Sequence, residues 1–260
     1  MSETKRGRRH YGELAVKMAL CEWKVREQSS VLGFFWTLLQ PLLMFIVLYG
    51  LFTKMMSRHT PAYASFLVIG IVQYGFFSQA TNLGLSSLIR RRDLIMNFPF
   101  PREIVVLASV SSVVLSYVLE LVLMLALMLA FGAKVAPAWF AMPVVIVLQI
   151  VFVTGLALML AVASARYHDL NRVWDILTRA GFFLTPIFYS LETLSPSRQE
   201  LLRFNPMTHV LEATRGCLLG GAAPPWRGLF WGAMATLALA WGGLCVFRSR
   251  ERSLPDDLAR

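Results

Sequence analysis

Residues 104–131 read IVVLASVSSVVLSYVLELVLMLALMLAF and contain a single ionisable side chain, Glu120. A membrane-spanning α-helix needs about 20 consecutive, mostly apolar residues, and this stretch exceeds that length. Four other stretches also meet the requirement: 32–53, 64–85, 139–163 and 228–247. The whole chain of 260 residues is 57% hydrophobic and 15% charged, whereas soluble domains are about 45–50% apolar and about 25% charged. The sequence therefore predicts an all-α integral membrane protein.

The distribution of basic residues decides whether a sixth, weaker stretch also spans the membrane. This stretch, 173–191, contains Asp175, Arg179 and Pro186. Both ends of the chain are rich in Lys and Arg, which are enriched on the cytoplasmic side of membrane proteins. Two cytoplasmic ends require an even number of spans. With six spans, seventeen basic residues lie in inner segments and seven in outer loops. We therefore predict six transmembrane helices with both termini in the cytoplasm.

Residues 11–27 precede the first span and carry an apolar stripe. Leu14, Met18, Cys21 and Val25 recur at steps of three and four residues, with basic residues beside them. This pattern predicts an amphipathic helix in the cytoplasmic membrane interface. A solvated helical leader is the alternative.

Residues 192–226 form the long external connection between spans 5 and 6. Ser195-Pro196 is typical of a helix start, and Asn205-Pro206 ends that helix and begins another. We predict two short external helices that re-enter the membrane. The chain is predicted to be one domain, 1–260, comprising an interfacial segment (1–30), a six-span bundle (32–247) and a cytoplasmic tail (248–260).

The sequence lacks the motifs of common catalytic and metal sites. It contains no GxxxxGK[ST] phosphate loop, no GxSxG, no HExxH and no CxxC. Its three cysteines and four histidines are scattered. The net charge of +10 is explained by the cytoplasmic loops of a membrane protein, without nucleic-acid binding. We expect no catalytic site, no metal and no cofactor bound by this chain.

Two charged residues and two aromatic groups lie within predicted spans, where each admits two interpretations. Glu120 is either a satisfied structural carboxyl or a pore or interface residue. Arg179 follows Asp175 by four residues, which favours a local ion pair or snorkelling. The aromatic residues either form membrane-interface belts and packing contacts or line a path for sugars. They are Phe34, Phe35, Trp36, Phe182, Phe183, Phe188 and Tyr189.

Five motifs follow one another along nearly the whole chain. They are Leu32-Gly33-Phe34-Phe35-Trp36 with Gln40-Pro41-Leu42-Leu43, Arg92-Asp93-Leu94-Ile95 with Phe98-Pro99-Phe100-Pro101-Arg102, Arg166-Tyr167-His168-Asp169-Leu170, Thr185-Pro186-Ile187-Phe188-Tyr189, and Asn205-Pro206 with Arg215. In this order they resemble the motifs of ABC-2 type permeases. The closest branch is the polysaccharide and polyol-phosphate exporters, which include O-antigen, capsule and teichoic acid permeases. The stretch Cys21-Glu22-Trp23-Lys24 departs from the family pattern.

The resemblance implies a transport subunit that pairs with a second copy of itself and with two copies of a separate ABC nucleotide-binding subunit. ATP and Mg would be bound by that partner, in the bacterial cytoplasmic (inner) membrane, and the cargo would be a lipid-linked glycan. The external gate would involve Asn205, Pro206 and Arg215. The residues that would couple to the ATPase are Arg90, Arg91, Arg92, Asp93, Leu94, Phe98, Pro99, Arg102, Arg166, His168 and Asp169.

Two other functions remain open at this point. One is an ABC-2 exporter of a small molecule or drug. The other is a membrane-embedded glycosyl- or acyltransferase, for which only the neighbouring pair His168 and Asp169 comes close to a catalytic site.

Overall fold

The computed structural model describes residues 2–28, 33, 35–57, 60, 62–167, 169–220, 226–251 and 254, with the backbone alone for 2–10 and 226–231. Within these ranges every regular element is helical. Short 3-10 turns at Pro137–Ala141 and Leu191–Thr193 accompany the α-helices. The α-helices are α1 (Ser2–Gln28), α2 (Phe35–Met56), α3 (Tyr63–Arg90), α4 (Arg92–Asn97), α5 (Glu103–Ala130), α6 (Met142–Arg166), α7 (Leu170–Leu184), α8 (Pro196–Arg203), α9 (Pro206–Leu218) and α10 (Trp226–Arg250).

Five helical stretches are long and apolar enough to cross a membrane, and they confirm the five clear predictions. They lie within α2, α3, α5, α10 and the stretch Pro137–Arg166. The sixth predicted span differs from the expectation of one helix through residue 191. Its helix, α7, has 15 residues, or about 22 Å of length. It ends at Leu184 because Pro186 has no N–H for the helical hydrogen bonds and disfavours the helical conformation of Thr185 before it. The count of six spans stays a prediction.

Helix α3 is the centre of the bundle and is buried along most of its length, whereas few residues are buried in the apolar stretches of α2 and α10. Small residues allow close helix packing on both sides of α6. A Cβ added at Gly84 of α3 would lie 2.6 Å from the Cβ of Ala157 in α6. On the other side of α6, Gly155 faces Ala240 and Gly243 of α10 with backbone contact. Such close approach is how helices gain packing energy where hydrophobic burial contributes little.

Polar contacts place four helix ends at one end of the bundle, here called the Arg90 end. The Ser164 hydroxyl near the end of α6 donates to the Leu85 carbonyl at 2.6 Å. Arg248, near the end of α10, lies 3.2 Å from Glu103 at the start of α5. The opposite end of the bundle carries Tyr63, where α3 begins, and is here called the Tyr63 end.

The amphipathic segment 11–27 is helical and lies within α1. Of its apolar stripe, Met18 is buried and Leu14 packs against the core, while Cys21 is exposed and Val25 is 66% exposed. Glu22 and Glu27 are also buried. These carboxylates find hydrogen-bond partners on neighbouring helices, and a satisfied polar face can pack against the bundle. The place of α1 in the membrane interface stays a prediction.

Candidate functional site

The first predicted coupling segment forms a short helix that projects from the Arg90 end. Helix α3 ends at Arg90 and α4 begins at Arg92, so Arg91 is the hinge between them. Ile95 is 3% exposed and fixes α4 to the core, with Leu94 packed beside it. Arg92 and Asp93 are exposed, and Phe98, just beyond α4, is 61% exposed. This arrangement leaves one face of α4 accessible to another protein.

The side chains of Arg90 and Arg91 form ion pairs with Glu22 of α1. Arg90 Nη2 lies 2.9 Å from Glu22 Oε1, and Arg91 Nη2 lies 3.4 Å from Glu22 Oε2. The Ser109 hydroxyl donates to the same carboxylate at 2.9 Å. Glu22 was not a predicted site residue. Its role could not be inferred from the local sequence, because the two guanidinium groups that it binds lie 68 and 69 residues further along the chain.

A cavity of about 670 Å³ opens beside the coupling segment at the Arg90 end. The backbone N–H of Arg102 donates to Glu251 Oε1 at 3.1 Å. Glu251, which directly follows α10, therefore forms part of the cavity wall. The sequence did not predict this wall, which brings together residues about 150 positions apart. The lining residues are Phe98, Pro99, Phe100, Arg102, Arg248 and Glu251.

The second predicted coupling segment lies at the same end, between α6 and α7. The Arg166 guanidinium lies 5.7 Å from the Tyr167 ring centroid, and both side chains are exposed. Asp169 is exposed immediately before α7. His168 lies outside the described residues. The structure therefore brings the two segments to one end of the bundle, as the alternation of helices predicts.

The aromatic residues of the α7 region form one cluster. Phe188 stacks on Phe52 of α2 at 5.0 Å between ring centroids, and Tyr189 meets the Phe188 ring edge-to-face at 5.1 Å. Phe182 packs between Tyr74, Phe183 and Phe188. Phe183 is 64% exposed and is the most accessible of the four predicted members. The sequence missed Phe52 as their partner.

The other aromatic group of the predicted path is separate from this cluster. Phe35 and Trp36 stand at the beginning of α2 and are both about half exposed, while Phe34 lies outside the described residues. Phe52 is 16 residues further along the same helix, which is about 24 Å. The structure thus does not bring the two predicted aromatic groups together within this chain.

Asn205 and Pro206 build the start of α9 and attach it to the end of α7. The Asn205 Oδ1 accepts a hydrogen bond from Met207 N at 3.0 Å, as an N-cap should. Its Nδ2 donates to the Thr185 hydroxyl at 2.8 Å. Pro206 occupies the first helical position, where its missing N–H costs nothing. Both predicted residues are therefore structural anchors of α9.

Arg215 of α9 holds the irregular backbone that follows α7. Its guanidinium donates to the Pro186 carbonyl at 2.7 Å, the Ile187 carbonyl at 2.9 Å and the Phe66 carbonyl at 3.1 Å. It also lies 3.3 Å from the Phe66 ring centroid. Gly70 makes this possible, because a Cβ there would stand 2.9 Å from Arg215 Nη2.

The electrostatics of this site follow from its burial. Arg215 is 8% exposed, and burial lowers its pKa to about 9, partly offset by Glu212. The guanidinium therefore stays protonated at neutral pH. Three carbonyl oxygens and the face of the Phe66 ring replace the water that it lost.

The two charged residues of uncertain role now have defined neighbours. Arg179 Nη2 lies 2.8 Å from Asp175 Oδ2, which confirms the local pair. The Arg179 side chain is 79% exposed and the Asp175 side chain 48% exposed. Glu120 is 3% exposed inside the bundle, on the same face of α5 as Ser109, Ser112 and Ser116 by helical spacing. Within the described residues, no group of three or more His, Cys, Asp and Glu side chains could hold a metal ion.

Comparisons with known proteins agree with this architecture. Residues 18–219 match the profile of the family described as ABC-2 type transporter. The chain is 30% identical over 252 residues to the O-antigen export system permease protein RfbA of Myxococcus xanthus, covering 95% of this chain and 96% of that one. It is 24% identical to the polysialic acid transport protein KpsM of Escherichia coli, covering 90% and 92%. It is 25% identical to the capsule polysaccharide export inner-membrane protein BexB of Haemophilus influenzae, covering 86% and 85%.

Proposed function

Because this chain belongs to the ABC-2 type transporter family, we propose that it is the membrane-spanning permease subunit of an ATP-driven exporter of a lipid-linked polysaccharide. The observation that carries the proposal is the match to an O-antigen export permease over 95% of the chain and 96% of that relative. Two capsule-type export proteins match over more than four fifths of their lengths. The cargo is of the O-antigen, capsule or teichoic-acid type.

The energy comes from a separate ABC nucleotide-binding subunit, which binds ATP and Mg. Two features of the Arg90 end support this partnership. The exposed face of α4, with Phe98 beyond it, offers apolar and charged side chains to a partner. The cavity beside it, about 670 Å³ in volume, is wide enough to receive side chains of another protein. The Arg90 end accordingly faces the cytoplasm, and both termini lie there.

Six spans fit the contacts of residues 170–189, although α7 alone is short. This segment runs antiparallel to α3 from the Arg90 end towards the Tyr63 end. Trp174 Nε1 donates to the Thr81 hydroxyl at 3.0 Å, and Tyr74 donates to the Thr178 carbonyl at 2.6 Å. Further along, the Tyr63 hydroxyl donates to the Phe188 carbonyl at 3.0 Å. Helix α7 and the extended residues after it together make the crossing, with the two helices α8 and α9 at the outer end.

A homodimer provides the translocation path. One face of α7 carries the Asp175–Arg179 pair together with the exposed side chains of Ile176 and Phe183. Charged side chains at membrane depth face water or protein because exposure to lipid is costly. A second copy of the chain opposite this face encloses a water-filled path, and Phe183 offers a ring on which the apolar face of a sugar can stack.

The proposal is tested by deleting the chain in its host and following the glycan. We expect finished, lipid-linked polymer to accumulate inside the cell and an ATPase subunit to co-purify with the tagged wild-type chain. Loss of polymer synthesis would instead indicate a transferase. Normal surface glycan with intracellular retention of a small molecule would indicate an exporter of another cargo. Either of those two results would overturn the proposed function.

A further inference from the structure

Two carboxylates on α1 are buried, although most carboxylates in folded proteins are exposed. Glu22 is 8% exposed and Glu27 is 5% exposed. They are separated by five residues, which is about 7.5 Å along the helix. A buried carboxylate persists only where hydrogen bonds and opposite charges replace its water. Each of the two meets this condition with a different part of the bundle.

Glu22 connects α1 to the hinge that carries the coupling segment. The carboxylate is within 3.4 Å of the guanidinium groups of Arg90 and Arg91. It also accepts the Ser109 hydroxyl of α5. Arg91 is the single residue between α3 and α4, so any rotation of α4 about this hinge acts directly on Glu22.

Glu27 connects the same helix to the first span. The Thr37 hydroxyl, in the first turn of α2, donates to its Oε2. The Ser116 hydroxyl of α5 donates to its Oε1 at 2.8 Å. Arg26 supports this junction, with Nε 3.2 Å from Glu27 Oε1 and Nη2 3.0 Å from the Ser112 carbonyl.

We propose that α1 is a transmission strut, in which Glu22 and Glu27 are positioning residues that carry a displacement of the coupling hinge to the first span. The inference rests on the proposed function, which supplies the ATPase that displaces the hinge. Because both junctions consist of charge-assisted hydrogen bonds to buried carboxylates, α1 follows the hinge rather than slipping past it. The first span, which carries Phe35 and Trp36, then moves when the ATPase closes.

The native cysteines make the strut directly observable. Cys21 is exposed beside Glu22, whereas Cys217 is buried. With Cys245→Ser, an environment-sensitive fluorophore on Cys21 reports the position of α1 in the purified complex with its ATPase subunit in lipid nanodiscs. A second reporter site, Leu43→Cys with both exposed native cysteines replaced by serine, reports the position of α2. Each is measured without nucleotide and with ATP and vanadate.

Three isosteric changes separate the strut from its alternatives. Glu13→Gln, on an exposed site of α1, is the matched control and should respond to nucleotide at both reporters. Glu22→Gln should lose the response at both reporters. Loss of a charged hydrogen-bond partner shifts the equilibrium between α1 docked on the hinge and α1 released from it by about tenfold. Glu27→Gln should keep the response at Cys21 and lose it at position 43.

Transport gives the functional readout of the same variants. Both Glu22→Gln and Glu27→Gln should lower the glycan exported per ATP hydrolysed, relative to Glu13→Gln. The double change Glu22→Arg with Arg90→Glu exchanges the two charges of the junction. It should restore part of the export that is lost in the single change Glu22→Arg. If Glu22→Gln does not fold, the responses of Glu27→Gln at Cys21 and at position 43 test the proposal alone.

Two results would overturn the strut: responses in Glu22→Gln and Glu27→Gln equal to the control, or no nucleotide response at Cys21 in the wild type. Failure of the proposed function looks different. In that case no ATPase subunit is captured by the wild type or by Glu13→Gln, and the strut falls with it.

Discussion

Replacement of Arg215 by alanine should strongly destabilise the packing of α9 against the rest of the bundle. The guanidinium donates to the carbonyls of Pro186 and Ile187, which lie after the end of α7, and to the carbonyl of Phe66 in α3. A buried carbonyl that loses its partner costs about 1–3 kcal/mol, so the two carbonyls outside helices together cost at least about 2 kcal/mol. At about 2–4 °C per kcal/mol, the Tm should fall by at least about 4–8 °C.

The measurement is thermal unfolding of the purified protein in detergent, with exposed Arg198→Ala in α8 as the matched control. Arg215→Lys should fall between the two, because lysine keeps the charge but lacks the planar fork that reaches several carbonyls. Limited proteolysis of residues 185–190 should accelerate in Arg215→Ala at temperatures below its Tm. A Tm for Arg215→Ala within about 2 °C of Arg198→Ala would refute the reasoning, since that difference is under about 1 kcal/mol.

Three further changes test other contacts. Gly70→Ala should lower the Tm because its Cβ would meet a guanidinium nitrogen and the Ile187 carbonyl, both at 2.9 Å, while Gly75→Ala on the same helix meets nothing within 4 Å and should leave the Tm unchanged or higher. Asn205→Ala removes an N-cap and should cost about 1 kcal/mol in the same unfolding assay. A bulky maleimide on Phe183→Cys should block glycan export without reducing complex yield, whereas the same label on exposed Phe140→Cys should not; unchanged export would return Phe183 to packing.

The five long helices are predictable from the sequence because the signal for a span is local. Residues 104–131 need no knowledge of the rest of the chain to be recognised as a span, and α5 follows them within one residue at each end. The same holds for the coupling segments, whose place at one end follows from the alternation of helices. These features depend on hydropathy and order alone.

The orientation of α1 could not be predicted in this way. The apolar stripe predicted an interfacial amphipathic helix but did not show which side of that helix packs on the bundle, and the buried side chains include Glu22 and Glu27. Within a membrane, lipid satisfies apolar side chains as well as protein does, so polar pairing decides which face packs. The partners of Glu22 are 68, 69 and 87 residues away in the sequence, and no local pattern announces them.

Residues 185–189 and Arg215 of α9 form one structural unit. Pro186 ends α7 and leaves buried carbonyl groups without helical partners, which is tolerated only where protein supplies donors. Arg215 supplies them from 29 residues further along the chain, and Gly70 provides the space. The sequence shows a proline, an arginine and a glycine separately, each with an ordinary explanation. Only their convergence explains why a buried arginine belongs in α9: it completes the hydrogen bonding of the backbone that follows the end of α7.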